Sequence, residues 1–124
     1  MGTSNTKKAD AGAPTKRQEY YSKALTIMQR LQQGSCKRYE LRELTSLADR
    51  PLRQIIRALR RSGVPIINLS NGRGYKLASS EAELERYKKQ EFSRANDLIA
   101  TLNAMHLEPD LQEDLFEEIM LWAE

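Results

Sequence analysis

Apolar residues recur at helical spacing in the first half of this chain, give way to a short β pattern, and then return to helical spacing. Between residues 16 and 33, Tyr20, Ala24, Ile27, Met28 and Leu31 fall three and four apart, with Tyr21 and Leu25 flanking the stripe. This predicts a first helix from about Lys16 to Gln33, ended by Gly34, which suits a left-handed C-terminal cap. Leu41, Leu44 and Leu47 predict a short second helix over about Glu40–Leu47 with all three turned inward. Leu52, Ile55, Ile56 and Leu59 predict a third, from Asp49 to Arg61, after a turn at residues 47–49. Asp49 is its expected N-terminal cap, Pro51 fits the first turn, where no backbone donor is needed, and Gly63 closes it.

The period then changes. Val64–Leu69 and Tyr75–Leu77 are β-prone and flank Ser70-Asn71-Gly72-Arg73-Gly74. Asn-Gly between such runs signals a hairpin, because both residues tolerate positive φ. A long helix is expected after Ser79 or Ser80, running to about Met105, with Ser80 and Glu83 as a capping box. A last helix starts near Pro109 and Asp110 and ends at Trp122. The fold class expected is α+β: three helices and a two-stranded hairpin, then a helical C-terminal extension. Three regions follow: a tail over residues 1–15, a domain over 16–79, and an extension over 80–124.

Composition sharpens this division. The 124 residues suffice for one small domain with appendages. Charged residues make up 30% and aromatics 6%, so the core is modest and aliphatic. The tail, rich in Gly, Ala, Thr and Lys, has too little apolar surface to offset its ordering entropy and is expected to be disordered. Its opening, Met1 to Thr6, fits the loose N-myristoylation pattern, a match common by chance. The net charge of +3 hides an asymmetry. Residues 1–80 hold 16 Lys and Arg against 5 Asp and Glu, whereas residues 81–124 hold 4 against 12. A basic front and an acidic back imply two different partners.

The third helix carries the sharpest signal. Arg50, Arg53, Gln54 and Arg57 keep the same rhythm as the apolar stripe, on the opposite side. Five arginines follow Asp49 with no further acid before Gly63. Arg and Gln read base edges in the major groove, and Arg also binds phosphate. A solvated basic face is the plainer alternative. A bracing helix before it and a hairpin behind it turn the basic helix into a docking geometry.

The linked pieces also carry a resemblance. Leu41-Arg42-Glu43-Leu44-Thr45, Asp49-Arg50-Pro51-Leu52-Arg53, Gly63-Val64-Pro65-Ile66 and Asn71-Gly72-Arg73-Gly74-Tyr75 resemble a family of winged helix-turn-helix proteins common in bacteriophages. They are also similar to the N-terminal domain of biotin operon repressors. The resemblance covers about residues 37–78 and implies duplex DNA binding through the third helix, with the hairpin in support. It implies a transcriptional regulator of a phage or mobile element. Where the family commonly has Ser at the cap of that helix, this chain has Ala48, and Pro51 is unusual there. Both shift weight from Arg50 toward Arg53, Gln54 and Arg57. Arg53 and Gln54 are the candidates for base contact, and Arg38, Arg50, Arg57 and Arg73 those for phosphate. Arg60 and Arg61 are read as helix-end residues favoured by the helix dipole.

The acidic extension is open to three readings: packing within the protein, an arm for homodimerisation or a protein partner, or an acidic surface that binds a host protein or mimics nucleic acid. A palindromic DNA site needs a dimer. The alternative for the whole chain is a protein-interaction module or host-enzyme inhibitor on the same scaffold, or a replication accessory factor. No catalytic constellation emerges, so no enzyme and no cofactor are expected. His106 has no dyad partner, and one Cys with one His excludes both a disulfide and a Cys/His zinc site. Cys36 lies beside Lys37 and Arg38, which would lower its pKa if exposed. No apolar run approaches a membrane span, and no secretory start is present, so the cytoplasm is expected.

Overall fold

In the computed structural model, which describes residues 12–13 and 15–123, five helices accompany a small antiparallel sheet. The expected tail, including the Met1–Thr6 pattern, lies outside the described residues except at its end. There Thr15 is ordered. Its hydroxyl accepts from Gln18 N at 3.2 Å, and the Gln18 side chain accepts from Thr15 N at 2.8 Å. This capping box starts α1 (Lys16–Gln32). Gly34, at φ 139°, follows the helix end.

The helix α2 (Arg38–Thr45) begins two residues earlier than its leucines suggest. Leu44 is corrected: it is 52% exposed, while Leu41 and Thr45 take the inner face. A threonine can do so because its hydroxyl donates to Leu41 O at 2.6 Å and leaves no unpaired polar group. Ser46 ends α2 in the left-handed region at φ 57°. Next comes α3 (Asp49–Arg61), as the periodicity predicts, but its N-cap is Ala48, with no side-chain hydrogen bond. Asp49 is the first helical residue instead, and its carboxylate is used elsewhere. Gly63, at φ 105°, closes α3 as Val64 N donates to Leu59 O at 3.0 Å.

The sheet has three strands where two were expected: β1 (Cys36–Lys37), β2 (Ile66–Asn68) and β3 (Gly74–Leu77), in the order β1-β3-β2. Cys36 pairs with Tyr75 and Lys37 with Gly74; Asn68 also faces Tyr75 across the hairpin. Two residues are too few to show an alternation, so β1 exists only through its partner. The core lies between α1, α2, α3 and this sheet, with Ile27, Leu41, Leu52, Ile56 and Ile66 fully buried at its centre.

The chain forms two compact units, Met1–Leu84 and Glu85–Glu124, divided within α4 (Glu81–Ala104). The first turn of α4 is tied to the sheet. Lys76 Nζ lies 2.8 Å from Glu83 Oε2, while Ser79 N and Oγ donate to Glu83 Oε1 at 2.7 and 2.9 Å. Ser80 accepts from Glu83 N as expected, but the Glu83 carboxylate reaches Ser79 and Lys76 rather than closing the box. The Lys76 hydrogen bond first, then the two from Ser79, hold the Glu83 carboxyl at about 2, below its usual 4.5. A carboxylate depressed on folding contributes stability above its unfolded pKa and loses it as pH falls through its folded one. The melting temperature of the wild type is therefore expected to fall more steeply than that of Glu83→Gln as pH drops from about 5 to about 2. Parallel curves would show that this network adds nothing to stability.

In the second unit, α4 continues to Ala104 and α5 (Leu111–Trp122) follows. Neither helix buries a residue. Among the described residues, no helix is long and apolar enough to cross a membrane.

Candidate nucleic-acid interface

The two sides of α3 differ in kind. Leu52, Ile55, Ile56 and Leu59 are buried, and Arg50, Arg53, Gln54 and Arg57 are exposed. Burying the first set fixes the direction of the second, because a helix is rigid about its axis. Arg53, Arg57 and Arg60 stand one turn apart along one edge and, with Arg38, Asn68, Gly72 and Tyr75, line a cleft of about 340 Å³. One wall is α3 and the other is the sheet with the tip of its hairpin.

Asp49 organises this cleft. Its Oδ2 lies 3.0 Å from Arg53 Nε and its Oδ1 lies 3.8 Å from Arg38 Nη1. Arg38 also reaches the hairpin tip: its backbone N donates to Arg73 O at 2.8 Å, and its Nη2 donates to Gly72 O at 3.1 Å. Arg38 is therefore a brace between α2, α3 and the hairpin more than a free phosphate ligand. Its Nε is buried and has no hydrogen-bond partner among the described residues. Arg57 and Arg50 have no ion pair or side-chain hydrogen bond among the described residues, so their guanidinium groups are available to a ligand. Arg50 stands on the first turn of α3, outside the residues that line the cleft.

Arg73 sits on the tip, where Asn71 Oδ1 accepts from its backbone N at 2.9 Å and Gly72 takes φ 74°. Gly72 N donates to Leu69 O and Leu69 N to Gly74 O, both at 2.8 Å, so the tip is a hydrogen-bonded turn that presents Arg73 outward. Gln54 goes elsewhere. It lines an apolar groove of about 420 Å³ between α1 and α3, beside Tyr20, Tyr21, Leu25 and Ala58. Four residues from Arg50 and three from Arg57, it occupies the far edge of the exposed face, so it is not part of the arginine cleft.

Sequence reasoning missed Arg60. Its Nε donates to Ile66 O at 2.8 Å, its Nη2 to Asn68 Oδ1 at 3.0 Å, and its guanidinium lies 5.8 Å from the centre of the Tyr75 ring. It ties α3 to β2 and β3. The spacing of Arg53, Arg57 and Arg60 already placed the three in one column; what hid the role was the position of Arg60 at the helix end. Cys36 does not meet the condition of exposure. It is buried in the core, and burial raises its pKa against the opposing charge of Arg30; Glu40 adds to the rise. The neighbouring basic residues do not activate it. No cluster of His, Cys, Asp and Glu suited to a metal ion occurs among the described residues. No family model and no curated protein matches this chain.

Proposed function

We propose that the first unit is a winged helix-turn-helix that binds duplex DNA with a sequence preference. In this reading α3 enters the major groove, α2 braces it across the backbone, and the β2–β3 hairpin is the wing. The protein then serves as a transcriptional regulator of the phage or mobile-element type. The observation that carries the reading is the convergence of Arg53, Arg57 and Arg60 with Arg38 and the hairpin tip around one exposed cleft. Arg57 and Arg73 are the residues assigned to phosphate. Arg53 is the residue assigned to base edges, because it projects from the second turn of α3. Gln54 is a contact only for a base at the α1 edge of the groove.

The test is a selection on random duplex DNA at controlled salt. Enrichment of a site, and a log–log salt slope near −0.9 per neutralised phosphate, are expected. Affinity that stays flat from low to moderate salt removes the nucleic-acid reading. Absence of enrichment favours a partner-binding module on the same scaffold.

Asp49 supplies a further check. A carboxylate beside a phosphate-binding face repels the backbone and competes for Arg53. Asp49→Asn is expected to tighten binding to non-specific duplex by about threefold to tenfold at low salt, where screening is weak, and to narrow the gap to the selected site. Its effect on stability is small, about 1 kcal/mol or less, as for one acid in a helix first turn. Unchanged non-specific affinity would place Asp49 outside the DNA-facing surface.

A further inference from the structure

The second unit presents an anomaly of burial. Phe92, Leu98, Ile99 and Leu102 on α4 are more than half exposed, and so are Leu111, Phe116, Met120 and Trp122 on α5. Helices of this length are marginal in water unless one face is covered. We infer that the covering surface is the second unit of another copy of this chain, paired with α4 antiparallel to α4.

Three observations favour a second copy. The first is area. Each of these side chains exposes on the order of 100 Å², so together they approach the roughly 800 Å² per partner of a stable interface. The second is spacing. Ala95, Leu98, Leu102 and Met105 follow a three-four-three rhythm, and the same rhythm continues N-terminally through Glu91 and Lys88 to Leu84. A parallel pair would set Lys88 on Lys88 and Glu91 on Glu91; an antiparallel pair that overlaps only from Ala95 onward brings the apolar segments together and keeps the charged segments apart.

The third is charge. The polar side of α5 carries Glu113, Asp114, Glu117 and Glu118, while the part of α4 in the second unit places Arg86, Lys88, Lys89 and Arg94 before Ala95, against Glu85 and Glu91, and only Asp97 after it. At 12 residues α5 spans roughly 18 Å. The connection over residues 105–110 starts it near the C-terminal end of its own α4, where no Lys or Arg follows Arg94. In an antiparallel pair that overlaps from Ala95 onward, the α5 of the second copy starts near residues 86–94, which hold four bases and one acid. Lys88 and Arg94 already pair with Glu85 and Glu91 on their own helix at 3.8 and 3.2 Å, but such exposed pairs are weak and exchange readily.

This inference stands apart from DNA binding, and its test needs no DNA. Sedimentation equilibrium of the full chain at about 10 μM is expected to give twice the chain mass, as for an interface of standard size. Leu98→Lys with Leu102→Lys is expected to halve that mass while leaving the thermal transition of the first unit in place, and Leu115→Lys with Ile119→Lys to do the same. Reversing charge with Arg86→Glu and Lys89→Glu is expected to weaken the dimer several-fold at low salt. A monomeric wild type overturns the inference, and so does a dimer that survives both lysine pairs. A dimer indifferent to the charge reversal overturns the pairing of α5 with α4 of the second copy. A monomer that binds duplex removes this inference alone, and a dimer that does not bind removes only the DNA reading.

Discussion

Arg53→Ala combined with Arg57→Ala is expected to reduce affinity for a selected duplex by a hundredfold or more, with the fold intact. Each arginine that contacts DNA is worth roughly 1–3 kcal/mol, and every 1.4 kcal/mol is tenfold. The two losses differ in kind. Arg57 has no ion pair among the described residues, so its removal deletes one positive contact and reduces the salt slope by about 0.9. Removing Arg53 also leaves Asp49 without its 3.0 Å partner, adding a bare negative charge beside the phosphates. Fluorescence anisotropy with labelled duplex over a salt series reads both effects. Thermal melting supplies the control, because both side chains are exposed and a surface substitution rarely exceeds about 0.5 kcal/mol. A double variant binding within threefold of wild type would show that α3 is not the DNA-facing element.

Gly74→Ala is expected to lower the melting temperature by roughly 10–20 °C. A Cβ at residue 74 would lie 2.5 Å from Cys36 O and 2.9 Å from Lys37 Cα. Both are backbone atoms of the paired strand and cannot turn away as a flexible side chain can. Relieving the clash opens the β1–β3 ladder, to which Lys37 and Gly74 belong. Overpacking of this kind costs about 1–3 kcal/mol, and each kcal/mol moves the midpoint by about 4–8 °C in a domain of this size. Gly72→Ala is the useful contrast. Nothing lies within 4 Å of a Cβ there, so its cost is only that of placing a side chain at φ 74°. That cost is about 1–2 kcal/mol for a single left-handed residue. Equal melting temperatures for Gly74→Ala and wild type would remove the close approach of β1 to β3.

The two results test different layers of one design. Gly74 lets β1 close on β3, and β1 leads directly into Arg38. Arg38 then holds the hairpin tip at Gly72 and Arg73 while facing Asp49 on α3. The geometry of the cleft thus depends on a glycine outside the set of basic residues. Loss of duplex affinity in Gly74→Ala at a temperature where the protein remains folded would express this coupling.

Local periodicity determined α1 and α3, because an amphipathic stripe of four or five apolar residues leaves one helical phase that buries it. Local turn chemistry determined the hairpin, because Gly72 accepts the positive φ that the turn requires and Asn71 Oδ1 accepts from Arg73 N. These features were legible in the sequence, and so was the arginine column on α3. Tertiary structure alone decided the rest. Whether β1 is a strand, whether Arg38 is free or a brace, and whether Arg60 ends a helix or joins it to the sheet all depend on partners distant in sequence. Arg38 and Gly72 are 34 residues apart. Gln54 shows the same limit on a smaller scale. The helical phase put it on the exposed side of α3, but only the neighbours packed on either flank set it against the apolar groove rather than among the arginines. A sequence specifies the direction of a side chain relative to its own helix axis; what stands in that direction is decided by how the helices and the sheet pack.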